Sequence, residues 1–312
     1  MAGGSALLAI RRNGGDGAGS YGARLTCSPV RWRDPHITVA GVTRSYHLIR
    51  PTGATHPAPI IIGLHGGSVK DGRNLLPWGL SDRGAEEGVV TVYPDGLVLG
   101  WNDGRTSPDL QRLRGGADDL SFLRALVESL IADGVADPGR IVVTGSSNGG
   151  MMALRLACDM ADRLAAIAVV TAPLSAEQAQ SCRPARPLSI LVMNGTADAT
   201  FPYEGGRTAG PPGQDFGRVL SAEATAERWR SWNGCRGEPE RYVLPDRDPG
   251  DGTRIHLQAS RGCAGDTEVL LYTVQGGGHT LPGHGGGGRA GLSSRDADGA
   301  ALIWAFLRRH QH

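Results

Sequence analysis

The chain has 312 residues, a length that suits one large α/β domain better than two small ones. An apolar content of 40% is enough for a real core and excludes a disordered chain. A net charge of +1 gives no field that would draw it to nucleic acid or an anionic membrane, and no apolar run reaches the roughly 18 residues that span a bilayer.

The first residues set up no element. Ala6 to Ile10 is a short apolar run, followed rather than preceded by Arg11 and Arg12, which is the wrong order for a secretory signal. Residues 1–30 therefore read as a flexible, glycine-rich leader, and 31–312 as one catalytic domain. Ile37–Ala40 and Ser45–Ile49 alternate around Gly41 as an antiparallel hairpin would. Ala58–Leu64 and Val89–Tyr93 are continuous apolar runs, the pattern of strands buried on both faces of a parallel sheet. Asp118–Asp133 predicts a helix, because Leu120, Leu123, Leu126, Val127, Leu130 and Ile131 fall on one face. The strand Arg140–Thr144 runs into Gly145-Ser146-Ser147-Asn148-Gly149, and a small-residue helix follows over Met151–Met160. Ala165–Val170 and Leu188–Asn194 are two more buried strands. Ala222–Trp232 reads as a helix, Val269–Val274 as a strand and Arg295–Arg309 as a closing amphipathic helix. Strands alternating with helices predict an α/β fold with a mostly parallel central sheet covered on both faces.

None of the five cysteines, Cys27, Cys158, Cys182, Cys235 and Cys263, forms a C-x-x-C pair, which argues against a zinc or thioredoxin site. Their separations suit either loop-closing disulfides or reduced, buried thiols, and an odd count leaves one unpaired. A bridge between Cys235 and Cys263 would close a loop of about 29 residues, worth roughly 3–4 kcal/mol. Such bridges would imply an oxidising compartment.

The chemistry centres on Gly145-Ser146-Ser147-Asn148-Gly149, which matches G-x-S-x-G between an apolar strand and a helix. That context predicts a sharp turn lifting the serine hydroxyl above the sheet at a helix N-terminus, where developing negative charge is favoured. Only Ser147 has glycine both two before and two after it, so Ser147 is the candidate nucleophile and Ser146 the filler. The α/β-hydrolase chain order then requires an acid and a histidine downstream. Asp198 stands just past the end of the strand Leu188–Met193, on the face where catalytic loops gather. Asp159 and Asp162 read as solvated charges, and Asp215 and Asp246 lie in polar loops. His279 follows Val269–Val274 and three glycines that would let its loop carry the imidazole over the serine. His284 has no strand leading into it, and His310 and His312 are terminal. Upstream, His65-Gly66-Gly67 ends a strand, so the N–H groups near Gly67 and of Asn148 are the expected oxyanion hole, with His65 bracing its loop. Trp101, Tyr203, Phe201 and Trp78 are candidates to line a substrate cleft, Trp78 with the weakest claim. Trp229 and Trp232, spaced i, i+3 on a helix, read as core.

From about Pro35 to Phe306 the sequence resembles the polyhydroxybutyrate-depolymerase and feruloyl-esterase group, carbohydrate esterase family one. The resemblance is carried by Leu64-His65-Gly66-Gly67, Tyr93-Pro94-Asp95-Gly96 with Trp101-Asn102, Asp118-Asp119-Leu120-Ser121-Phe122, Thr144 to Met152, Asn194-Gly195-Thr196-Ala197-Asp198 with Pro202-Tyr203, and Gly276-Gly277-Gly278-His279-Thr280. It implies an extracytoplasmic serine esterase without metal or cofactor. Its expected substrates are hydroxycinnamoyl sugar esters or short polyesters, with Ser147, Asp198 and His279 in the triad positions. Cys235 and Cys263 match a frequent cysteine pair of the family. Family members usually carry tryptophan two residues after the histidine, near the acyl pocket; Leu281 stands there, making it the expected substrate contact. A serine peptidase of the same fold, related to prolyl oligopeptidase, is the competing enzyme reading, and a non-catalytic carbohydrate-binding relative the competing non-enzyme reading.

Overall fold

A computed structural model of the chain describes residues 30–210 and 212–311. Residues 1–29 of the expected leader, and Cys27 with them, lie outside the described residues. The strands, in chain order, are β1 (Val30–Arg33), β2 (His36–Val39), β3 (Val42–Pro51), β4 (Ala58–Leu64), β5 (Val90–Pro94), β6 (Ala136–Ser146), β7 (Ala166–Val170), β8 (Ser189–Gly195), β9 (Gly206–Arg207), β10 (Arg218–Val219), β11 (Glu240–Val243), β12 (Arg254–Ser260) and β13 (Val269–Gln275). The helices are α1 (Leu80–Glu87), α2 (Pro108–Arg114), α3 (Asp119–Ala132), α4 (Asn148–Asp159), α5 (Ala176–Ser181), α6 (Ala222–Trp232) and α7 (Gly299–Arg309).

The large sheet has the order β1-β3-β5-β4-β6-β7-β8-β13-β12-β11, with β2 folded onto β3. The central run from β5 to β13 is parallel throughout. Antiparallel strands close it at both edges. The central strands β7 and β8 are buried along their whole length, because alternate residues feed two different cores. Ile60, Ile62, Val143, Val169 and Val192 pack with α3, α4 and α6 on one face. Ile61, Val142, Ala168 and Leu191 pack with Leu80 and with Ala300 to Leu307 of α7 on the other. This is the α/β-hydrolase arrangement expected from the alternation of apolar runs and amphipathic helices.

The expected hairpin forms, turning through Ala40 and Gly41 with φ of 49° and 81°, the paired positive values of a tight two-residue turn. Asp118 precedes α3 and caps it, accepting the N–H of Ser121 at 3.0 Å. Several boundaries differ from expectation: β3 runs over Val42–Pro51, and α4 starts at Asn148, directly after Ser147. β6 starts earlier, at Ala136, which pairs with Ala58 across an irregularity. α7 starts later, at Gly299, because Asp298 is its cap and accepts the N–H of Ala301 at 3.1 Å. Disulfides join Cys158 to Cys182 and Cys235 to Cys263, so the reduced-thiol reading is set aside for these four residues.

Candidate active site

Ser147 stands between β6 and α4 with φ 56° and ψ −125°, a left-handed conformation that is costly for a residue with a side chain. Two glycines make the turn possible. A Cβ on Gly145 would collide with the backbone of Gly149, and one on Gly149 with the backbone of Leu64 and His65. The serine backbone is fixed by its N–H to the carbonyl of Val170, 2.9 Å away at the end of β7. The N–H of Asn148 is the first of α4 and so has no carbonyl one helical turn back.

Asp198 follows β8 and is almost completely buried. Its Oδ1 accepts the N–H groups of Thr200 (2.7 Å) and Phe201 (2.9 Å), and its Oδ2 lies 2.7 Å from Nδ1 of His279. The carboxylate therefore fixes the imidazole with Nδ1–H towards it and leaves Nε2 free. The turns carrying the two residues are bonded to each other. Thr196 N–H donates to Val274 (3.0 Å), Ala197 N–H to Gly277 (2.8 Å) and Gly276 N–H to Thr196 Oγ1 (2.8 Å). From the far side, the carbonyls of Ala290 and Leu292 accept the N–H groups of His279 (2.7 Å) and Gly278 (2.9 Å). The glycine-rich loop after the histidine thus acts as its brace. Phe201 lies against the imidazole, with ring centroids 5.6 Å apart.

A cleft of about 480 Å³ is lined by Ser147, His279, Gly67 and Asn148 together with Phe201 and Trp78. The sequence-expected nucleophile, base and oxyanion donors thus share one cavity wall. His65 braces this wall from behind: its Nδ1 faces the carbonyl of Gly66 (2.9 Å) and its Nε2 accepts the N–H of Gly96 (3.1 Å). Burial is the largest influence on this imidazole and lowers its pKa, which keeps it neutral in the bracing role. The Asn148 side chain accepts the N–H of Trp101 (2.6 Å) and donates to Asp103 (2.5 Å). Asp103 in turn forms a buried ion pair with Arg105, Oδ2 to Nη2 2.7 Å. Burial, the largest influence, pushes the Asp103 carboxyl up; the Arg105 charge and hydrogen bonds outweigh it, and its pKa ends below the usual carboxylate value.

The three expected substrate contacts lie elsewhere. Trp101 is fully buried, stacked on His65 and donating its indole N–H to the His65 carbonyl at 2.9 Å. Tyr203 is buried with its hydroxyl 2.7 Å from Thr273 Oγ1. Leu281 packs in the core beneath α7, where its side chain fills the space beside Gly299. Trp78, Phe201 and Phe216 line the cleft instead. Residue type alone does not separate these aromatics; what separates them is whether the indole or phenol finds a partner inside. The rejected acid and base candidates are engaged elsewhere: Asp159 faces Arg155, Asp246 pairs with Arg254, and His284 lies 3.2 Å from Asp298. A second cleft, of about 380 Å³, lies among α6, β11, β12 and β13 and, among the described residues, contains no histidine.

Known proteins similar to this chain are esterases. The chain is 33% identical over 260 residues to the putative esterase NocK of Nocardia uniformis subsp. tsuyamanensis, covering 79% of this chain and 73% of that protein. It is 31% identical over 220 residues to a probable feruloyl esterase C of Aspergillus terreus, covering 65% of this chain and 75% of that protein. This chain belongs to the feruloyl-esterase family. Like its relatives, this α/β-hydrolase is a carboxylic ester hydrolase. Feruloyl esterase B of Piromyces equi is 32% identical over 242 residues, and there the match covers 73% of this chain but only 41% of that longer protein. Within the esterase, residues 85–198 also match the prolyl oligopeptidase family. Among solved structures, an acetyl xylan esterase from Aspergillus awamori superposes with a TM-score of 0.57 at 15% identity, covering 81% of this chain and 96% of that one, which shows the shared fold.

Proposed function

We propose that this esterase works through an acyl-enzyme on Ser147, with His279 as general base and Asp198 holding the imidazole. The observation that carries the proposal is the 2.7 Å contact between Asp198 Oδ2 and His279 Nδ1 at the cleft that also holds Ser147. Nε2 takes the Ser147 proton as the hydroxyl attacks the ester carbonyl. The N–H groups of Asn148 and Gly67 receive the oxyanion. The alcohol leaves with the proton from His279, and water repeats the cycle on the acyl group. The proposed substrates are feruloyl or other acyl sugar esters, or short polyhydroxyalkanoate-type esters. The aromatic side chains of Trp78, Phe201 and Phe216 along the cleft favour a flat or apolar acyl group. The two disulfides support folding in an oxidising compartment, in keeping with secretion or a periplasmic site. Among the described residues no helix is long and apolar enough to cross a membrane.

Ser147→Ala should abolish hydrolysis of a chromogenic butyrate ester and of methyl ferulate while leaving the melting temperature nearly unchanged. Retained turnover would remove Ser147 from the mechanism. The prolyl oligopeptidase match over residues 85–198 favours a second reading, cleavage of peptide amides by the same residues. Turnover of a proline-containing peptide anilide exceeding that of the esters would select it.

A further inference from the structure

Arg114 is the last residue of α2, and its guanidinium forms part of the cleft wall beside Gly67, Ser147 and Asn148. It is packed tightly there: its Nη2 occupies the space that a Cβ on Gly67 or Gly100 would need. Its Nε donates to the carbonyl of Leu99 at 3.0 Å and its Nη2 to that of Gly67 at 3.4 Å. Both acceptors are neutral, and the remaining donors of the fork have no acceptor among the described residues. The other arginine of the cleft, Arg105, is neutralised by Asp103 through Nε and Nη2. Asp103 and Asp119 act on Arg114 only at longer range, and burial lowers its pKa. Among the described residues, the cleft lining contains no aspartate or glutamate. One wall beside the nucleophile therefore carries a half-buried cation that has no direct ion-pair partner among the described residues and feels Asp103 and Asp119 only at longer range. A buried charge without a partner is unfavourable unless something supplies the counter-charge.

We propose that Arg114 is a specificity-determining residue that receives a carboxylate carried by the substrate, so that the esterase prefers acidic esters over their neutral counterparts. The proposal rests on Ser147 being the nucleophile of the same cleft. The carboxylate has two possible sources, the acyl half or the alcohol half of the ester. Two matched pairs separate them: monoethyl succinate against ethyl butyrate, and O-butyryl lactate against its methyl ester.

The ratio of kcat/KM for the acidic member to that for the neutral member should fall on the order of tenfold in Arg114→Gln, mainly through KM. Arg114→Lys should keep part of it, and added salt should lower the ratio in the unsubstituted protein. The pair that shows the drop locates the carboxylate. Equal ratios with and without Arg114→Gln in both pairs overturn the proposal. A ratio indifferent to salt overturns it as well, and that measurement needs no variant to fold. Binding is read separately by titrating the intact acidic esters into Ser147→Ala, with and without Arg114→Gln. No difference there defeats the role of Arg114, whereas hydrolysis that survives Ser147→Ala defeats the nucleophile assignment instead.

Discussion

Asp198→Asn is the substitution whose effect follows most directly from the observed hydrogen bonds. Oδ1 of Asp198 accepts two backbone N–H groups, from Thr200 and Phe201, and only an oxygen can take that position. An asparagine would keep its carbonyl oxygen there and turn its NH₂ towards Nδ1 of His279, where the carboxylate Oδ2 now stands at 2.7 Å. An NH₂ group can only donate, so Nδ1 would become the acceptor and the ring proton would move to Nε2. That tautomer presents N–H to the serine hydroxyl and cannot take its proton. The same tautomer error in a serine triad lowers kcat by about ten-thousand-fold, near 5 kcal/mol in the barrier. The fold should hardly notice, because both backbone bonds to Oδ1 survive. The assay is steady-state hydrolysis of a chromogenic butyrate ester beside a thermal melt. Activity above about a tenth of the original, in a protein that melts normally, would refute the tautomer argument.

Other consequences can be measured in the same way. Asp103→Ala removes the partner of buried Arg105 and the acceptor of the Asn148 amide, so it should destabilise the fold by about 3–5 kcal/mol in urea unfolding, with less loss counting against a structural role for the pair. The bridge between Cys158 and Cys182 ties the end of α4 to the end of α5 across a separation of 24 residues, and replacing both cysteines with serine should cost about 3–4 kcal/mol of stability by denaturant titration. Glu268 holds His310 and Arg309 at the end of α7. Burial, the largest influence, raises the Glu268 pKa, but those hydrogen bonds and charges outweigh it and the carboxyl titrates lower than in the unfolded chain. Its contribution is then present above the ordinary glutamate pKa and disappears as acid protonates the folded form. Glu268→Gln should accordingly lower the melting temperature at neutral pH, with the gap closing under acid; a gap that persists in acid contradicts the assignment.

The parts of this fold that were legible in the sequence are those whose burial is uniform. The strands β4, β7, β8 and β13 are nearly unbroken apolar runs because both their faces are covered, and the residues that follow β4, β8 and β13 joined Ser147, after β6, in the site. The antiparallel edge is different. β11 is exposed along its whole length and shows no clean period, whereas β12 alternates Arg254, His256 and Gln258 with Ile255, Leu257 and Ala259, the period of a half-buried strand, and was legible although no strand was expected there. The triad candidates could be picked out because each sits at a strand end followed by glycine or a tight turn. The cleft lining could not, since it depends on long-range partners. Trp101 is drawn inside by the carbonyl of His65, thirty-six positions away in the chain, and nothing local to Trp101 signals that bond. Arg114 illustrates the same point: one more arginine in the sequence, distinguished only once its neighbours are seen to be neutral carbonyls.

A fluorophosphonate probe followed by peptide mass spectrometry examines the nucleophile itself. The account predicts a single covalent adduct on the peptide that follows β6, borne by the hydroxyl of residue Ser147, and its loss when His279 is replaced by alanine. An adduct on Ser146 or elsewhere, or full ester turnover in protein that the probe leaves unmodified, would contradict it.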